Sequence, residues 1–559
     1  MIDRRQFIGA SAALMMSGPL RAARGALDVA LVNARLWTGT GARQAGELSA
    51  VGIIGARIAG IGQAAVRAGI SAGTRVIDLQ GAMLMPAFID NHTHFLRGAA
   101  MLSQPTLRDA ATPAAFAERI GAAARALPAG RWVEGGYWDE QLWGGALPTR
   151  QWIDAVTPDT PVAVVRLDMH MILLNSLALK IAGIDRHSVA PEGGVILKDA
   201  AGEPTGILKD NAAWLAERAI PRPSDAQMEE IVRQGIAHGL SHGVAQVHVP
   251  EIDWSSYEAL RRLRAKGETG MRFYSFVPLA DWEKMAAIVK AEGRGDDWVR
   301  WGAVKGLMDG SLGSRTALFR APYSDAPDQH GVRTTPLADV RAWVQAADRA
   351  GLHVTVHAIG DQANDEILDI YEAVEKADGP RDRRFRIEHA QHLSAAAIQR
   401  FAPLQVVASV QPYHAVDDGR WAVRRIGADR LAGTYAFKAL MDAGATVTFG
   451  SDWPVAPLDP LAGIHAAVSR ETIDGANPGG WLPDQKIGVD RALTAYTVAN
   501  AYAGFQDDRL GRIAPGYLAD LVVIDADLRT IAPARIEKAR VLRTFVDGRE
   551  RFGPDAARM

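Results

Sequence analysis

Cysteine is absent from this chain of 559 residues. Its absence excludes disulfide bonds, thiolate metal ligands and a cysteine nucleophile, so any bound metal must be held by nitrogen and oxygen atoms. An excess of charge of one sign is also lacking, because the formal net charge is only −2. The chain therefore has no global basic field that would favour nucleic acid as a partner.

The N-terminus lacks an apolar run long enough to span a membrane. Arg4 and Arg5 precede a weakly apolar stretch that reaches only to Leu20. This pattern is typical of a twin-arginine export signal, with an ordinary basic N-terminus as the alternative. We predict that residues 1–25 direct export to the periplasm, with a cytoplasmic location as the alternative, and we expect no stable membrane insertion.

Two β-rich segments lie at opposite ends of the remaining chain. Residues 27–84 alternate short β-like runs with glycine-rich turns, and a similar pattern returns in residues 505–552. We predict that the two segments form one small β-sandwich domain built from both chain ends.

Strands and helices alternate between these two segments. After a first strand that ends at His92, we predict seven further strands at 243–249, 271–277, 299–308, 352–358, 385–388, 405–410 and 445–450. Alanine-rich helical stretches follow several of them. Eight such units predict an α/β fold in which residues 85–504 form a TIM-like (β/α)8 barrel.

One segment is too long for a single crossover helix. Residues 96–240 separate the first and second predicted strands and contain Trp132, Trp138 and Trp143 close together. We predict an inserted subdomain that caps the barrel mouth, because the chain leaves the first strand at that end. The alternative is an insert that packs on the outer wall of the barrel or forms a subunit contact. A homodimer is therefore one possible oligomeric state.

The predicted strand ends carry side chains suited to metal chemistry. His92 and His94 leave one face of the first strand, because side chains two residues apart point the same way. Later strands end, in order, at Lys305, His357, His389 and Asp452. Barrel enzymes draw catalytic residues from several strand ends, and histidines with a carboxylate form a ligand set for zinc or a similar divalent metal.

These candidates also have structural alternatives. A lone His-x-His pair arises by chance, and His357 could be a core histidine. His353, four residues away, could share its strand face. Asp452 could cap a helix. Lys305 is the weakest candidate chemically, because an ammonium group has no lone pair.

Three further residues are candidate substrate contacts. Arg315 lies in a glycine-rich loop after the fourth strand and could pair with a substrate carboxylate. His170 and Trp138 lie in the insert and could face the site. Loop stabilisation is the alternative for Arg315, and packing is the alternative for Trp138.

Several motifs together resemble those of the amidohydrolase superfamily, and in particular its YtcJ-like branch, the amidohydrolase-3 family. They are MPAFIDNHTH at 85–94, LPTR at 147–150, DGSLGSRTA at 309–317, RIEHAQ at 386–391, GSDWP at 450–454 and GRIAPG at 511–516. The resemblance covers nearly all of residues 27–550. Ala87 replaces the glycine that family members usually carry, which is a mild change.

The resemblance implies one or two divalent ions, zinc above all. His92 and His94 would hold the more buried ion, and His357 and His389 the other. In related enzymes a lysine that ends the fourth strand reacts with carbon dioxide, and its carbamate bridges two metals. This modification would give Lys305 the anionic oxygens that an ammonium group lacks.

The same resemblance implies the remaining roles and the reaction. Asp452 would take the proton of a metal-activated water and hand it to the leaving nitrogen. Glu388 and Asp361 would orient the ligands. We therefore predict a metal-dependent hydrolase that cleaves a carbon–nitrogen bond, a non-peptide amide, in a small molecule. A hydrolase of esters, lactones or amine-bearing rings is one alternative, and a non-catalytic periplasmic solute-binding protein is another.

Overall fold

A computed structural model describes residues 25–39, 48–128, 130–251 and 253–556 of the chain. The predicted export signal, apart from its last residue, lies outside these ranges. Every helix in the described ranges is too short or too polar to cross a membrane.

Eight parallel strands form a barrel, which confirms the predicted fold class. Each pairs with the next along the chain, in the order Phe88–Asp90, Val244–Pro250, Arg272–Pro278, Val299–Leu307, His353–Ala358, Arg386–His389, Val407–Val410 and Val447–Phe449. Most of their residues are buried, because side chains fill the barrel interior and helices cover its outside. The C-terminal ends of all eight strands therefore meet at one mouth.

The first and eighth strands close the barrel through scattered hydrogen bonds rather than a ladder. The amide of Asn91 donates to the carbonyl of Phe449 at 3.3 Å, and the amide of Asp452 donates to the carbonyl of His92 at 2.7 Å. The Asn500 side chain also donates to the Phe449 carbonyl at 2.8 Å. This seam brings the His-x-His motif next to Asp452.

Helices pack around the strands. They are Phe95–Met101, Asp225–Ser241, Ser255–Lys266, Trp282–Glu292, Leu337–Arg349, Asp361–Asp378, Ala395–Arg400, Pro412–Asp418, Ala422–Ile426, Phe437–Asp442, Pro460–Ser469, Val489–Ala495 and Val498–Ala503. Asp225–Ser241 begins at a capping box formed by Ser224 and Gln227, and its apolar face is buried on the barrel.

A second sheet draws its strands from both ends of the chain. Its strands are Val29–Leu36, Leu48–Ile54, Arg57–Ile61, Arg75–Asp78, Met83–Pro86, Leu521–Ile524, Val541–Val546 and Arg549–Phe552, with the helix Gln63–Gly69 beside them. Met83–Pro86 pairs antiparallel with Leu521–Ile524, which joins the two ends. The sheet buries an apolar cluster of its own, which includes Leu31, Val51 and Phe545.

A third sheet lies within the predicted insert. Its strands, in spatial order, are Gly194–Lys198, Pro204–Asp210, Met171–Leu174, Val162–Arg166 and Val133–Trp138. Helices Pro113–Ala126, Gln151–Asp154, Ser176–Ile181 and Ala213–Glu217 accompany it. The two ends of the 96–240 range belong to the barrel layer instead, because helices Phe95–Met101 and Asp225–Ser241 pack against each other there.

Candidate metal centre

Four histidines and an aspartate converge at the mouth of the barrel. The ring centroids of His92 and His94 are 5.6 Å apart, those of His92 and His389 are 4.9 Å apart, and those of His357 and His389 are 4.4 Å apart. Asp452 Oδ1 lies 3.4 Å from Nε2 of His92 and 3.3 Å from Nε2 of His94. The structure thus brings together the four histidines and the aspartate that the strand ends predicted as ligands.

The donor atoms of this cluster fit a divalent cation. Nε2 of His92 and Oδ1 of Asp452 are buried and have no hydrogen-bond partner in the described part of the chain. Donor atoms of His92, His389 and Asp452 all lie within 4.8 Å of one another. Burying lone pairs that face each other is costly unless a cation lies between them, and nitrogen with oxygen is a donor set that divalent metals accept.

The His-x-His histidines are each oriented by a carboxylate. Nδ1 of His92 lies 2.5 Å from Glu388 Oε2, and Nδ1 of His94 lies 3.0 Å from Glu251 Oε2. A carboxylate accepts a hydrogen bond, so each contact places the ring proton on Nδ1. The Nε2 lone pair of each ring is then left to face Asp452 and a metal.

The other two histidines are bonded by amide and peptide carbonyl oxygens, and Nε2 of His357 also lies 3.6 Å from Asp309 Oδ1. Nδ1 of His389 lies 2.8 Å from Gln411 Oε1 and 4.0 Å from Asp452 Oδ2. Nε2 of His357 lies 3.1 Å from the carbonyl of Gly310, which leaves its Nδ1 as the ligand atom. His353, the alternative to His357, lies at the start of the same strand and bonds the hydroxyl of Tyr274 at 3.1 Å. The structure therefore places His357, and not His353, at the metal centre.

Glu388 is the most heavily bonded carboxylate near the centre. Besides His92, it pairs with Arg386 at 2.7 Å and accepts hydrogen bonds from Ser409 at 2.5 Å and from Thr355. Burial alone would raise the pKa of Glu388, but Arg386 and then His92 hold that pKa well below its usual range. Glu388 is therefore a fixed anion that holds the His92 ring in place, as the sequence predicted.

Burial also sets the protonation of the ligands. It lowers the pKa of His92 to about 4, and it lowers the pKa of both His357 and His389 well below the usual value. The rings are therefore neutral at pH 7, which is the form that binds metal. Burial likewise lowers the pKa of Lys305, which lines a cavity together with His357 and His389, to about 8.

The backbone turns sharply where two of the ligands leave their strands. His389 has a φ of 74° and Asp452 a φ of 59°, the left-handed region that costs most residues roughly 1–3 kcal/mol. Asp90 stabilises the second turn, because its carboxylate accepts hydrogen bonds from the amides of Ser451 at 3.0 Å and His92 at 3.1 Å. Local strain of this kind, held by a buried network, is typical of functional sites.

The insert forms the opposite wall of the site. The His170 ring lies 5.3 Å from that of His357, and its Nδ1 lies 2.7 Å from Asp210 Oδ1. Burial lowers the pKa of His170, but the hydrogen bond to Asp210 and the negative charges of Asp210, Asp168 and Asp309 together outweigh burial, so the pKa is raised overall. Asp168 and His170 border two cavities, of about 40 and 100 Å³, that both reach His357, His389 and Asp452.

Three predicted contacts are not made. Trp138 is wholly buried in the insert, where it packs against Phe116 and donates to the carbonyl of Val164 at 3.1 Å, so it is a packing residue. Arg315 lines neither cavity and pairs with Asp325 at 2.9 Å, so it stabilises its loop.

Asp361 is the third. It lies at the start of the helix Asp361–Asp378 and accepts a hydrogen bond from the amide of Arg320 at 2.9 Å, and it lines neither cavity.

Sequence reasoning also missed residues of the site. Glu251 directly follows the second barrel strand, and a carboxylate at a strand end is the same signal that pointed to Asp452. His414 lies in the helix Pro412–Asp418, with Nε2 at 3.7 Å from Asp452 Oδ2, and no sequence pattern pointed to it.

A histidine cluster with one aspartate at the mouth of a (β/α)8 barrel defines a metal-dependent hydrolase, and comparison with known proteins agrees. The protein is 28% identical to an uncharacterized metal-dependent hydrolase of Pyrococcus horikoshii, whose crystal structure it matches with a TM-score of 0.73 over 90% of this chain and 99% of that one.

The sequence profile of the amidohydrolase family matches residues 75–552, and the chain therefore belongs to that family. It is 32% identical to YtcJ of Bacillus subtilis over 85% of this chain and 90% of that one. It is 30% identical to an N-substituted formamide deformylase of Arthrobacter pascens over 94% of this chain and 98% of that one. The predicted family and the predicted activity, a metal-dependent amidohydrolase acting on carbon–nitrogen bonds other than peptide bonds, are confirmed.

Proposed function

We propose that this amidohydrolase binds one or two zinc ions. The ligands are His92, His94, His357, His389 and Asp452. The observation that carries the proposal is the unpartnered, buried pair of His92 Nε2 and Asp452 Oδ1. Zinc suits a site of imidazole and carboxylate donors without sulfur. We assign His92 and His94 to the more buried ion and His357 and His389 to the other.

Asp452 is the residue that we propose moves the proton. A zinc ion at this centre would polarise the substrate carbonyl and lower the pKa of water to about 7. The Asp452 carboxylate, close to both His92 and His94, is placed to accept the proton of the attacking water. It then returns that proton to the leaving nitrogen, which departs far more readily as a neutral amine.

Lys305 is proposed to become a carbamate. Its side chain is buried at the end of the fourth barrel strand, and burial favours the neutral amine that attacks carbon dioxide. The amine nitrogen bonds to the carbon of carbon dioxide as one C=O π bond opens, and the nitrogen then loses a proton to solvent. The product is a carbamate whose single negative charge is shared by two oxygens that would bind metal. We expect NMR spectra of metal-loaded protein supplied with ¹³C-bicarbonate to show a carbamate signal that is absent from Lys305→Ala. Electron density for an unmodified ammonium group at Lys305 in a metal-loaded crystal would contradict the proposal.

The volumes of the cavities at the metal centre indicate the size of the substrate. The acyl and amine groups of an amide leave its carbonyl in opposite directions, and the metal centre opens onto two cavities of about 40 and 100 Å³. Small acyl and amine groups fit these volumes, which favours a small amide. The Arthrobacter relative is named for N-substituted formamides, whose acyl group is the smallest possible. We propose N-substituted amides with a small acyl group as the substrate class.

Hydrolysis assays with a substrate panel test this function. We expect purified protein reloaded with zinc to release amine from N-substituted formamides or acetamides, and to lose about 10²–10⁴-fold in rate as Asp452→Asn. Exposed His187→Ala is the matched control and should keep full activity. Turnover of esters, lactones or ring amines but of no amide would favour the alternative hydrolase, and tight solute binding without any turnover would favour the binding protein.

Export is a separate proposal that rests on Arg4 and Arg5. Cell fractionation should find the wild-type protein in the periplasm and the double variant Arg4→Lys, Arg5→Lys in the cytoplasm as uncleaved precursor. Mature periplasmic protein from the double variant would refute twin-arginine transport.

A further inference from the structure

A separate cavity of about 340 Å³ lies at the end of the barrel opposite the metal centre. Its lining includes Arg300, near the start of the strand Val299–Leu307, and His353, the first residue of the next strand. The volume is at the lower end of the roughly 300–1,000 Å³ typical of ligand sites. Because barrel chemistry takes place at the C-terminal strand ends, the amidohydrolase reaction does not account for this cavity.

The lining of this basal cavity has more positive than negative charge. Four arginines line it against two aspartates, and these six residues are Arg294, Arg300, Arg381, Arg383, Asp348 and Asp382. Asp382 is engaged at 2.9 Å by a further arginine, Arg384. The aspartates therefore do not offset the charge of the four arginines.

Two of these arginines bond only uncharged oxygens. Arg294 donates to the carbonyls of Gly302 at 3.0 Å and Gly351 at 2.5 Å, and Arg300 donates to the carbonyl of Gly504. No ion pair joins either guanidinium group to a carboxylate within the described ranges. Carbonyl dipoles hold a guanidinium group in place but leave its full charge uncompensated.

The other two arginines share a single carboxylate oxygen. Arg381 and Arg383 both bond Oδ1 of Asp348, Arg383 through its Nε at 3.0 Å. The Arg383 side chain is only 7% exposed, and its Nη2 is buried with no partner among the described residues. Because Arg381 and Arg383 share one carboxylate, that carboxylate compensates only one of their two positive charges.

We propose that the basal cavity binds a small dianion, with the chemistry that phosphate and short dicarboxylates share. The planar forks of the arginines match both groups, because each nitrogen pair can donate two parallel hydrogen bonds. Arg294 and Arg300 supply the charge that no carboxylate offsets, and the ligand completes their hydrogen bonding. This binding is independent of the metal centre and of the substrate proposed above.

Isothermal titration of the full-length, metal-loaded protein at constant ionic strength tests the proposal. Inorganic phosphate or malonate should bind one per chain and at least tenfold more tightly than acetate. Binding of phosphate but not malonate would show that the site is selective for phosphate. Binding of both would show that the site recognises dianions by their charge. Arg300→Gln and Arg294→Gln should each weaken binding at least tenfold, with metal content unchanged.

The control is Arg349→Gln, which removes an exposed arginine that pairs with Asp378 at 3.0 Å and lies outside the cavity. It should bind like wild type. If Arg300→Gln does not fold, as judged by circular dichroism, Arg294→Gln decides the matter. The absence of saturable binding, equal affinity for acetate, or binding unchanged in the cavity variants would overturn the proposal, and the last result would place the anion at the metal centre instead.

Discussion

The two walls of the metal centre differ in how they are built. The barrel wall consists of strand ends, where His92, His389 and Asp452 are buried and His92 is held by the fixed anion Glu388. The insert wall consists of loops and short elements, and its His170 side chain is 18% exposed and bonds a single carboxylate. Three of the barrel ligands are therefore more deeply buried than His170, while His94, at 16% exposed, marks the edge where the two walls meet solvent.

This difference separates two tasks. A metal site needs ligand atoms held to a fraction of an ångström, which strands with hydrogen-bonded ligands provide. Substrate selection needs a surface that can vary without disturbing the ligands, which an insert anchored by its own apolar core provides. We expect barrel substitutions to change metal content and rate, and insert substitutions to change which substrate is bound.

Removing a barrel ligand should have the greatest consequence. His92→Ala and His389→Ala should each lose metal, and their activity should fall at least about 100-fold. This loss exceeds the roughly 10–100-fold expected when a residue that hydrogen-bonds to a metal ligand is changed. Both variants should keep the wild-type circular dichroism spectrum. Metal analysis by plasma emission decides the matter, and full metal content in both variants would refute the ligand assignment.

Glu388→Gln should weaken the site without removing a ligand. The amide cannot supply the negative charge that orients His92 and balances Arg386, so metal affinity should fall roughly 10–100-fold. Competition with a chelator measures the change. Asp361→Asn is the matched control, since Asp361 lies away from the centre, and equal losses in the two variants would contradict the positioning role of Glu388.

His170→Asn should change substrate binding only. We expect KM to rise about tenfold, because a hydrogen bond to a charged partner is worth about 1.5 kcal/mol or more, with metal content unchanged. Trp138→Phe, in the same insert, should lower stability and leave KM unaltered. Loss of metal in His170→Asn would contradict this prediction and would show that His170 helps to hold the metal, as the barrel ligands do.

Arg315→Gln should do the least. Its ion pair with Asp325 is partly exposed, so the free energy of unfolding should fall by no more than about 1 kcal/mol. Urea unfolding measures this change, and kcat/KM should stay within about twofold of wild type. A large rise in KM would restore Arg315 as a substrate contact.

The barrel wall could be predicted from the sequence and the insert wall only in part. The same pattern, an apolar strand that ends in a polar residue, repeats at His92, His357, His389 and Asp452. It predicts a shared site, because a parallel barrel brings every strand end to one mouth. Trp138 carried no such signal, since an aromatic residue suits an apolar core as well as a pocket. His170 was predicted as a contact, but its partner Asp210 lies 40 residues away and only the folded insert pairs them.

Residues on the barrel loops show the same limit. Glu251 could have been found, because it follows a strand as Asp452 does. His414 lies in a helix after the seventh strand, and its approach to Asp452 depends on how that helix is tilted. Asp361 follows a strand too, yet it lies at the start of a helix and accepts a hydrogen bond from the backbone amide of Arg320, outside that helix.

Anomalous diffraction at the zinc absorption edge, from crystals of metal-loaded protein, tests the central claim most directly. We predict a peak at about 2.0–2.2 Å from Nε2 of His92, Nε2 of His94 and Oδ1 of Asp452, and a second peak beside His357 and His389 when two ions are bound. A peak bound to His170 or Asp210 in the insert, with none at the strand ends, would contradict the assignment of the chemistry to the barrel.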